Sequence, residues 1–368
     1  MTEPRYTPLV ASLPSTVPFV GPETQERIRE AEFDARLGAN ENVFGPSPRA
    51  IRAMKIATPD IWKYGDPENF DLKQALAAHH QISPENIVVG EGIDGLLGYL
   101  VRMLIEPGDA VVTSLGGYPT FSFHVRGYGG DLVEVPYKGD YEDPVALIEK
   151  AGEVGAKLIY LANPDNPMGT SHPQSVISAV IDAVPEGALL VLDEAYIEFA
   201  PEGTAPGFDV SRDNVIRFRT FSKAYGMAGA RVGYGIAAAG LVQSFDKIRN
   251  HFGMNRVAQA GALEALADQK YLSQTLGLVA KARVRIGQIA AANGLTVVPS
   301  STNFVAIDCG ADGAFAKRVL AALLARSVFI RMPFVAPHDR CIRLSAGTQT
   351  DLDLFEQALP LALTEARS

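Results

Sequence analysis

Cysteine is scarce: Cys309 and Cys341 are the only two in 368 residues. Two thiols in so long a chain build no disulfide framework, so buried free thiols and a reducing cytoplasm are expected. Metal-ligand spacing is missing too. No CxxC occurs, and none of the six histidines pairs at zinc-protease spacing, so no metal site is expected. No apolar run reaches the roughly 20 residues that span a bilayer. Residues 1 to 22 mix charge, proline and polar side chains, without the basic start and apolar stretch of a signal peptide. Basic charge is in deficit, with 33 Lys and Arg against 42 Asp and Glu and a formal net charge of -9. A duplex-binding protein carries the opposite excess, so nucleic acid is not an expected partner.

What is present is ordinary globular composition, 47% apolar and 20% charged, at a length that suggests two domains or three. Seven short, β-branched, apolar segments recur at residues 86–89, 110–114, 132–135, 157–161, 188–192, 215–218 and 232–236. They read as strands buried on both faces. Helical stretches such as 96–104 and 175–183 lie between them. The alternation predicts an α/β domain with a mostly parallel sheet over about 45–255. The last hundred residues read as a smaller α+β domain: a helical stretch over 257–291, strands at 303–307, 328–331 and 341–344, a helix at 315–325 and a final helix from Asp351. The expected division is an arm over 1–39 packing on the rest, a large domain over 40–255 and a small one over 256–368.

Two motifs tempt and fail. Gly90-Glu91-Gly92-Ile93-Asp94-Gly95 matches GxGxxG, but the next strand ends in Ser114, and no acid follows to hold a ribose. The glycines still suit a phosphate at a helix N-terminus. The 189–194 segment resembles a Walker B strand, yet no Gly-Lys-Ser/Thr occurs to make a phosphate loop.

A third pattern holds. In α/β sheets the ligand sits at the carboxyl ends of the strands. There this sequence places the glycine turn with Gly92 and Ile93, then Tyr118-Pro119-Thr120-Phe121, Asn163 to Gly169, Asp193-Glu194-Ala195-Tyr196, and Thr220-Phe221-Ser222-Lys223. A phosphate cup, an aromatic ring, an amide, a carboxylate and a lysine are the parts that pyridoxal 5′-phosphate needs. The run from Thr220 to Tyr234 resembles the lysine motif of fold type I pyridoxal-phosphate aminotransferases, in the histidinol-phosphate aminotransferase branch. Leu37-Gly38-Ala39-Asn40-Glu41-Asn42, Tyr64-Gly65-Asp66-Pro67, residues 163–169 and 193–199, and Ile342-Arg343-Leu344-Ser345 resemble that branch's other signatures. The resemblance runs from about residue 37 to 350.

It implies a fold type I transferase with a large seven-stranded sheet domain and a smaller α+β domain. It also implies a role for each matching position. Lys223 is implied as the lysine that binds the cofactor covalently and shuttles the proton, and Asp193 as the partner of the pyridine nitrogen. Tyr196 and Asn166 hold the phenolic oxygen. Phe121 is the stacking ring, with Tyr118 as competitor. Gly92, Ile93, Ser222 and Arg231 hold the phosphate, and Tyr64 reaches it from a second subunit of a homodimer. Arg343 grips the substrate anion with Asn42 near it, and Arg331 binds a distal anion or makes a surface salt bridge. The implied activity is ping-pong amino transfer between an amino acid, or an amino phosphate such as histidinol phosphate, and a keto acid. A decarboxylase of the threonine-phosphate type on the same scaffold is the alternative. A fold fused to a DNA-binding module is disfavoured, since no helix-turn-helix or basic arm precedes it. Three departures from the branch, Ile93 for serine, Gly95 for an acid and Met168 for threonine, suggest a subfamily that has left histidine biosynthesis.

Overall fold

A computed structural model describes residues 4–15 and 20–368. In chain order its strands are β1 (Ala35–Arg36), β2 (Ile87–Gly90), β3 (Ala110–Ser114), β4 (Asp131–Val135), β5 (Leu158–Ala162), β6 (Leu189–Asp193), β7 (Val215–Thr220), β8 (Gly233–Ile236), β9 (Thr296–Val297), β10 (Phe304–Asp308), β11 (Val328–Phe329) and β12 (Cys341–Ser345). Seven of them form one sheet in the order β2-β8-β7-β6-β5-β3-β4. Only β8 runs against the others, pairing antiparallel with β2 and β7.

Side chains alternate between the two faces of a strand, and both faces here are buried. Leu158, Tyr160, Leu189 and Val191 join one apolar cluster, which includes Leu96, Leu97 and Leu100 of the helix Gly92–Leu104. Ile159, Leu161, Leu190 and Leu192 face the other way, onto the helices Pro144–Val154 and Gln174–Asp182. Helices on both faces explain why these strands are apolar throughout rather than alternating.

A second, antiparallel sheet has the order β12-β10-β9. Beside it β1 pairs in parallel with β11, Ala35 opposite Val328 and Arg36 opposite Phe329. The end of the N-terminal arm is thus a strand of the smaller part. The helical stretch expected over 257–291 is two helices, Arg256–Ala267 and Gln269–Ala292. Asp268 makes the break, because its side chain accepts from the N–H of Tyr271 and caps the second helix. The first helix packs on Pro48–Ala57 of the larger part, where a Cβ on Gly261 would meet Met54 Cγ at 2.7 Å. The final helix, Gln349–Arg367, opens with a capping box between Thr348 and Asp351. Among the described residues no helix is long and apolar enough to cross a membrane.

Candidate active site

A cavity of ≈ 410 Å³ opens at the carboxyl ends of β5, β6 and β7 and at the start of the helix after β2. Its wall includes Ile93, Asp94, Tyr118, Asn166, Asp193, Tyr196, Ser222, Lys223 and Arg231 from the large sheet, Arg343 from β12, and Asn40 and Glu41 from the chain entering the sheet domain.

Asp193 ends β6 and is 6% exposed. Burial pushes its carboxyl up to about 6, against hydrogen bonds that favour the anion. The Tyr160 hydroxyl donates to Oδ2 at 2.6 Å and the Ala195 N–H to Oδ1 at 2.9 Å. Lys223 follows β7; its Nζ donates to the Asn40 carbonyl at 3.2 Å and lies 5.5 Å from the Tyr196 ring centre. The Tyr196 hydroxyl accepts from Asn40 Nδ2 at 3.1 Å. Asn166 accepts from Arg343 Nη1 through Oδ1.

Arg343 is 8% exposed, and among the described residues its Nε has no partner. Burial lowers its pKa to about 10. Its guanidinium lies 5.1 Å from the Phe304 ring centre, and among the described residues it forms no ion pair. A buried guanidinium without a carboxylate is a site for an anion from outside.

The opposite end of the cavity is a cup of donors. The helix Gly92–Leu104 starts without a side-chain cap, so its first N–H groups are free. Gly92 has φ +77, and a Cβ there would lie 2.3 Å from Arg231 Nη2. A Cβ on Gly233 would lie 2.7 Å from the Ile93 nitrogen. Only glycine at both positions lets Arg231 and β8 approach the helix start so closely. Arg231 Nη1 donates to Ser222 Oγ at 3.3 Å, and Thr220 Oγ1 donates to the same oxygen at 3.0 Å. Main-chain donors, a hydroxyl and a guanidinium at one end, with a lysine and a buried carboxylate further in, fit a pyridine ring that carries a phosphate ester.

Two expected positions need correction. Phe121 is not on the cavity wall. Pro119 starts a helix, and two residues on the Phe121 ring points into the core, fully buried and stacked on Tyr160 with centres 4.5 Å apart. Tyr118 caps that helix from outside, lines the cavity, and donates its hydroxyl to Asp94 Oδ1 at 2.7 Å. Asn42 is also off the wall. Its Nδ2 donates to the Lys223 and Ala224 carbonyls at 3.0 and 3.1 Å.

Arg331 stands outside the main cavity. It lines a neighbouring hollow of ≈ 200 Å³ that shares Tyr118, Asn166 and Arg343 with it, and it donates to the Val20 carbonyl. Tyr64 is 75% exposed, its ring 4.6 Å from that of Phe252. The sequence also offers Phe19, with Tyr118 and Phe252, as an aromatic lining for the pocket; Phe19 lies outside the described residues.

Sequence reasoning missed Asn40 and Tyr160. Asn40 was visible only as a member of the Gly38-Ala39-Asn40 motif; its φ of +54 and its bond to Tyr196 depend on the fold. Tyr160 read as one more apolar strand residue.

The profile of the family described as aminotransferase class I and II matches residues 35–359. A histidinol-phosphate aminotransferase of Sinorhizobium meliloti, solved in complex with pyridoxal-5'-phosphate, is 53% identical and superposes with a TM-score of 0.96, covering 99% of this chain and 98% of that one. The histidinol-phosphate aminotransferase of Anaeromyxobacter sp. is 36% identical over 354 residues, 95% of this chain and 96% of the relative. A Thermus thermophilus aspartate aminotransferase variant, 23% identical with a TM-score of 0.83 over 98% of this chain and 100% of its own, shares the fold.

Proposed function

The chain belongs to the class I and II aminotransferase family, in the histidinol-phosphate aminotransferase branch, and from that membership and the cavity we propose how its residues carry out amino transfer. The enzyme uses pyridoxal 5′-phosphate to move an amino group from an amino acid, or an amino phosphate such as histidinol phosphate, to a keto acid in two half-reactions. Decarboxylation is not favoured, since the relatives described above are aminotransferases. The observation that carries the reading is one cavity that holds a lysine, a buried carboxylate, a phosphate-sized donor cup and a buried arginine with no counter-ion among the described residues.

The bound cofactor supplies an electron sink for the bond broken at the substrate's α-carbon. Lys223 would hold it covalently, and its amine, when free, would be the group that takes and returns the substrate's α-proton. Asn42 holds the lysine's backbone so that only the side chain swings. Asp193 keeps the ring nitrogen protonated. Tyr196, positioned by Asn40, and Asn166 hold the phenolic oxygen. Ser222, Arg231 and the N–H groups at Gly92 and Ile93 hold the phosphate, and Tyr118 covers the ring face. Arg343 grips the substrate's anionic group, with Arg331 at the far end of the neighbouring hollow.

The division of labour follows the chain, with residues 40–255 holding the cofactor and 256–368 supplying the substrate arginines. We place the enzyme in the cytoplasm as a homodimer. The exposed Ile61, Trp62 and Tyr64, with Phe252, form an apolar patch that a second subunit would cover. From there Tyr64 would reach the partner's phosphate cup.

An absorbance titration tests the reading. The holoenzyme should show a visible band that bleaches with one amino donor and returns with a keto acid. Lys223→Ala should abolish turnover. A Lys223→Ala protein that turned over at the wild-type rate would overturn the assignment.

A further inference from the structure

We propose that Tyr160 is a positioning residue for catalysis: its hydroxyl, donated to Oδ2 of Asp193, holds that carboxylate as the anion that keeps the cofactor's ring nitrogen protonated. The inference rests on the reading of Asp193 as the ring nitrogen's partner.

Tyr160 sits in the middle of β5, opposite Val191 of β6, and Asp193 lies two residues further along β6, opposite Ala162. The phenol is fully buried and its hydroxyl lies 2.6 Å from Asp193 Oδ2. Phe121 stacks on the ring at 4.5 Å with the planes 17° apart. A carboxylate facing a pyridine nitrogen has two arrangements of the shared proton, anion with pyridinium or acid with neutral pyridine. Low dielectric favours the neutral pair, because burial penalises charge. An O–H donated to the carboxylate favours the ionic pair, because hydrogen bonds to a carboxylate are stronger than to a neutral acid. Burial also raises the pKa of Tyr160 well above that of a free phenol, so the group stays a donor. Asp193 has two such donors, Tyr160 and the Ala195 N–H. Only the first can be deleted without touching the backbone.

The test loads wild type, Tyr160→Phe, Phe121→Leu and Asp193→Asn with cofactor labelled with ¹⁵N in the ring and reads the nitrogen's chemical shift. Wild type should give a protonated pyridine. Tyr160→Phe should move the shift toward neutral pyridine and weaken cofactor affinity roughly ten- to a hundredfold, the usual worth of a hydrogen bond to a charged group. Phe121→Leu, which loosens packing but keeps the hydroxyl, should lower the melting temperature and leave the shift in place. If Tyr160→Phe keeps the wild-type shift while Asp193→Asn moves it, the proposal for Tyr160 fails and the reading of Asp193 stands. If Asp193→Asn leaves the shift unchanged, both fail. A shift that moves as far in Phe121→Leu as in Tyr160→Phe would make Tyr160 a packing residue and overturn the proposal.

Discussion

Glu194 follows Asp193 directly, yet it faces away from the cavity into a buried charge cluster, and removing it tests what holds the floor of the site. Its side chain is 1% exposed. Oε1 accepts from Arg217 Nε at 3.0 Å and Nη2 at 2.6 Å, and Oε2 accepts from Arg219 Nε at 2.9 Å. The side chains of Arg217 and Arg219 are 4% and 14% exposed, so Glu194→Ala strands two guanidinium groups out of water. Breaking a buried ion pair on one side costs about 3–5 kcal/mol. Arg217 keeps the Pro206 and Gly207 carbonyls at 2.9 and 3.0 Å and the Phe208 ring at 4.1 Å, which places the expected loss near the lower end. Glu194→Gln, which keeps an acceptor, should cost about 1–3 kcal/mol. Urea denaturation of the apoprotein followed by far-UV circular dichroism reads both. The pH dependence adds a second check. Burial disfavours the charge, but the coulombic pull of Arg219 and Arg217 outweighs it and holds the Glu194 carboxyl below its ordinary 4.5. Its contribution is therefore complete above 4.5 and is lost as the pH falls through the lower folded value. The gap between wild type and Glu194→Ala should narrow on the acid side. A Glu194→Ala protein within about 1 kcal/mol of wild type at neutral pH would refute the reasoning.

Two further substitutions probe the ends of the cavity. Arg343→Leu should raise KM for the anionic substrate on the order of a hundredfold, by loss of a charge-assisted bidentate contact, and leave the cofactor's visible band in place; steady-state kinetics beside an absorbance spectrum checks this, and an unchanged KM would remove Arg343 from the substrate site. Gly92→Ala should weaken cofactor binding at least tenfold, because its Cβ meets Arg231 Nη2 at 2.3 Å and the backbone is at φ +77; equilibrium dialysis of the apoprotein with pyridoxal phosphate measures it, and wild-type affinity would mean that Arg231 moves aside without cost.

Much of the fold was legible because buried parallel strands leave a plain mark. Runs such as Leu189 to Leu192 are apolar on both faces, and all seven strand positions lie within two residues of their expected bounds. The strand-end residues Asp193, Ser222 and Lys223 could be placed at the sheet's carboxyl edge by the same logic. What the sequence concealed depends on direction and register. Tyr118 and Phe121 are three residues apart on either side of a proline that starts a helix, and which ring reaches the cavity is decided by the turn of that helix. Asn42 reads as a substrate residue until the chain folds its amide onto the carbonyl of Lys223. Tyr160 acts on Asp193 only because β5 and β6 lie side by side in one register.

The three departures from the branch's motifs can now be weighed by where they sit. Met168, in place of threonine, is fully buried beside Val298, Ala306 and Cys341. Ile93, in place of serine, is 7% exposed and packs in the main core, while its N–H stays at the start of the helix. Gly95 would meet nothing closer than Glu91 at 3.4 Å if it carried a Cβ. None places a new charge or a new acceptor on the wall, and each exchanges polarity for packing or for space. Of the three, Ile93 alone also lines the cavity, so the suggestion of a departure from histidine biosynthesis rests on that position. Specificity has to come from groups that reach the open volume, and there the wall offers Arg343 and Glu41, with Arg331 at the end of the adjoining hollow. Arg343 lines both the cavity and the adjoining hollow where Arg331 lies, which is the arrangement that the proposed amino-phosphate substrate would need.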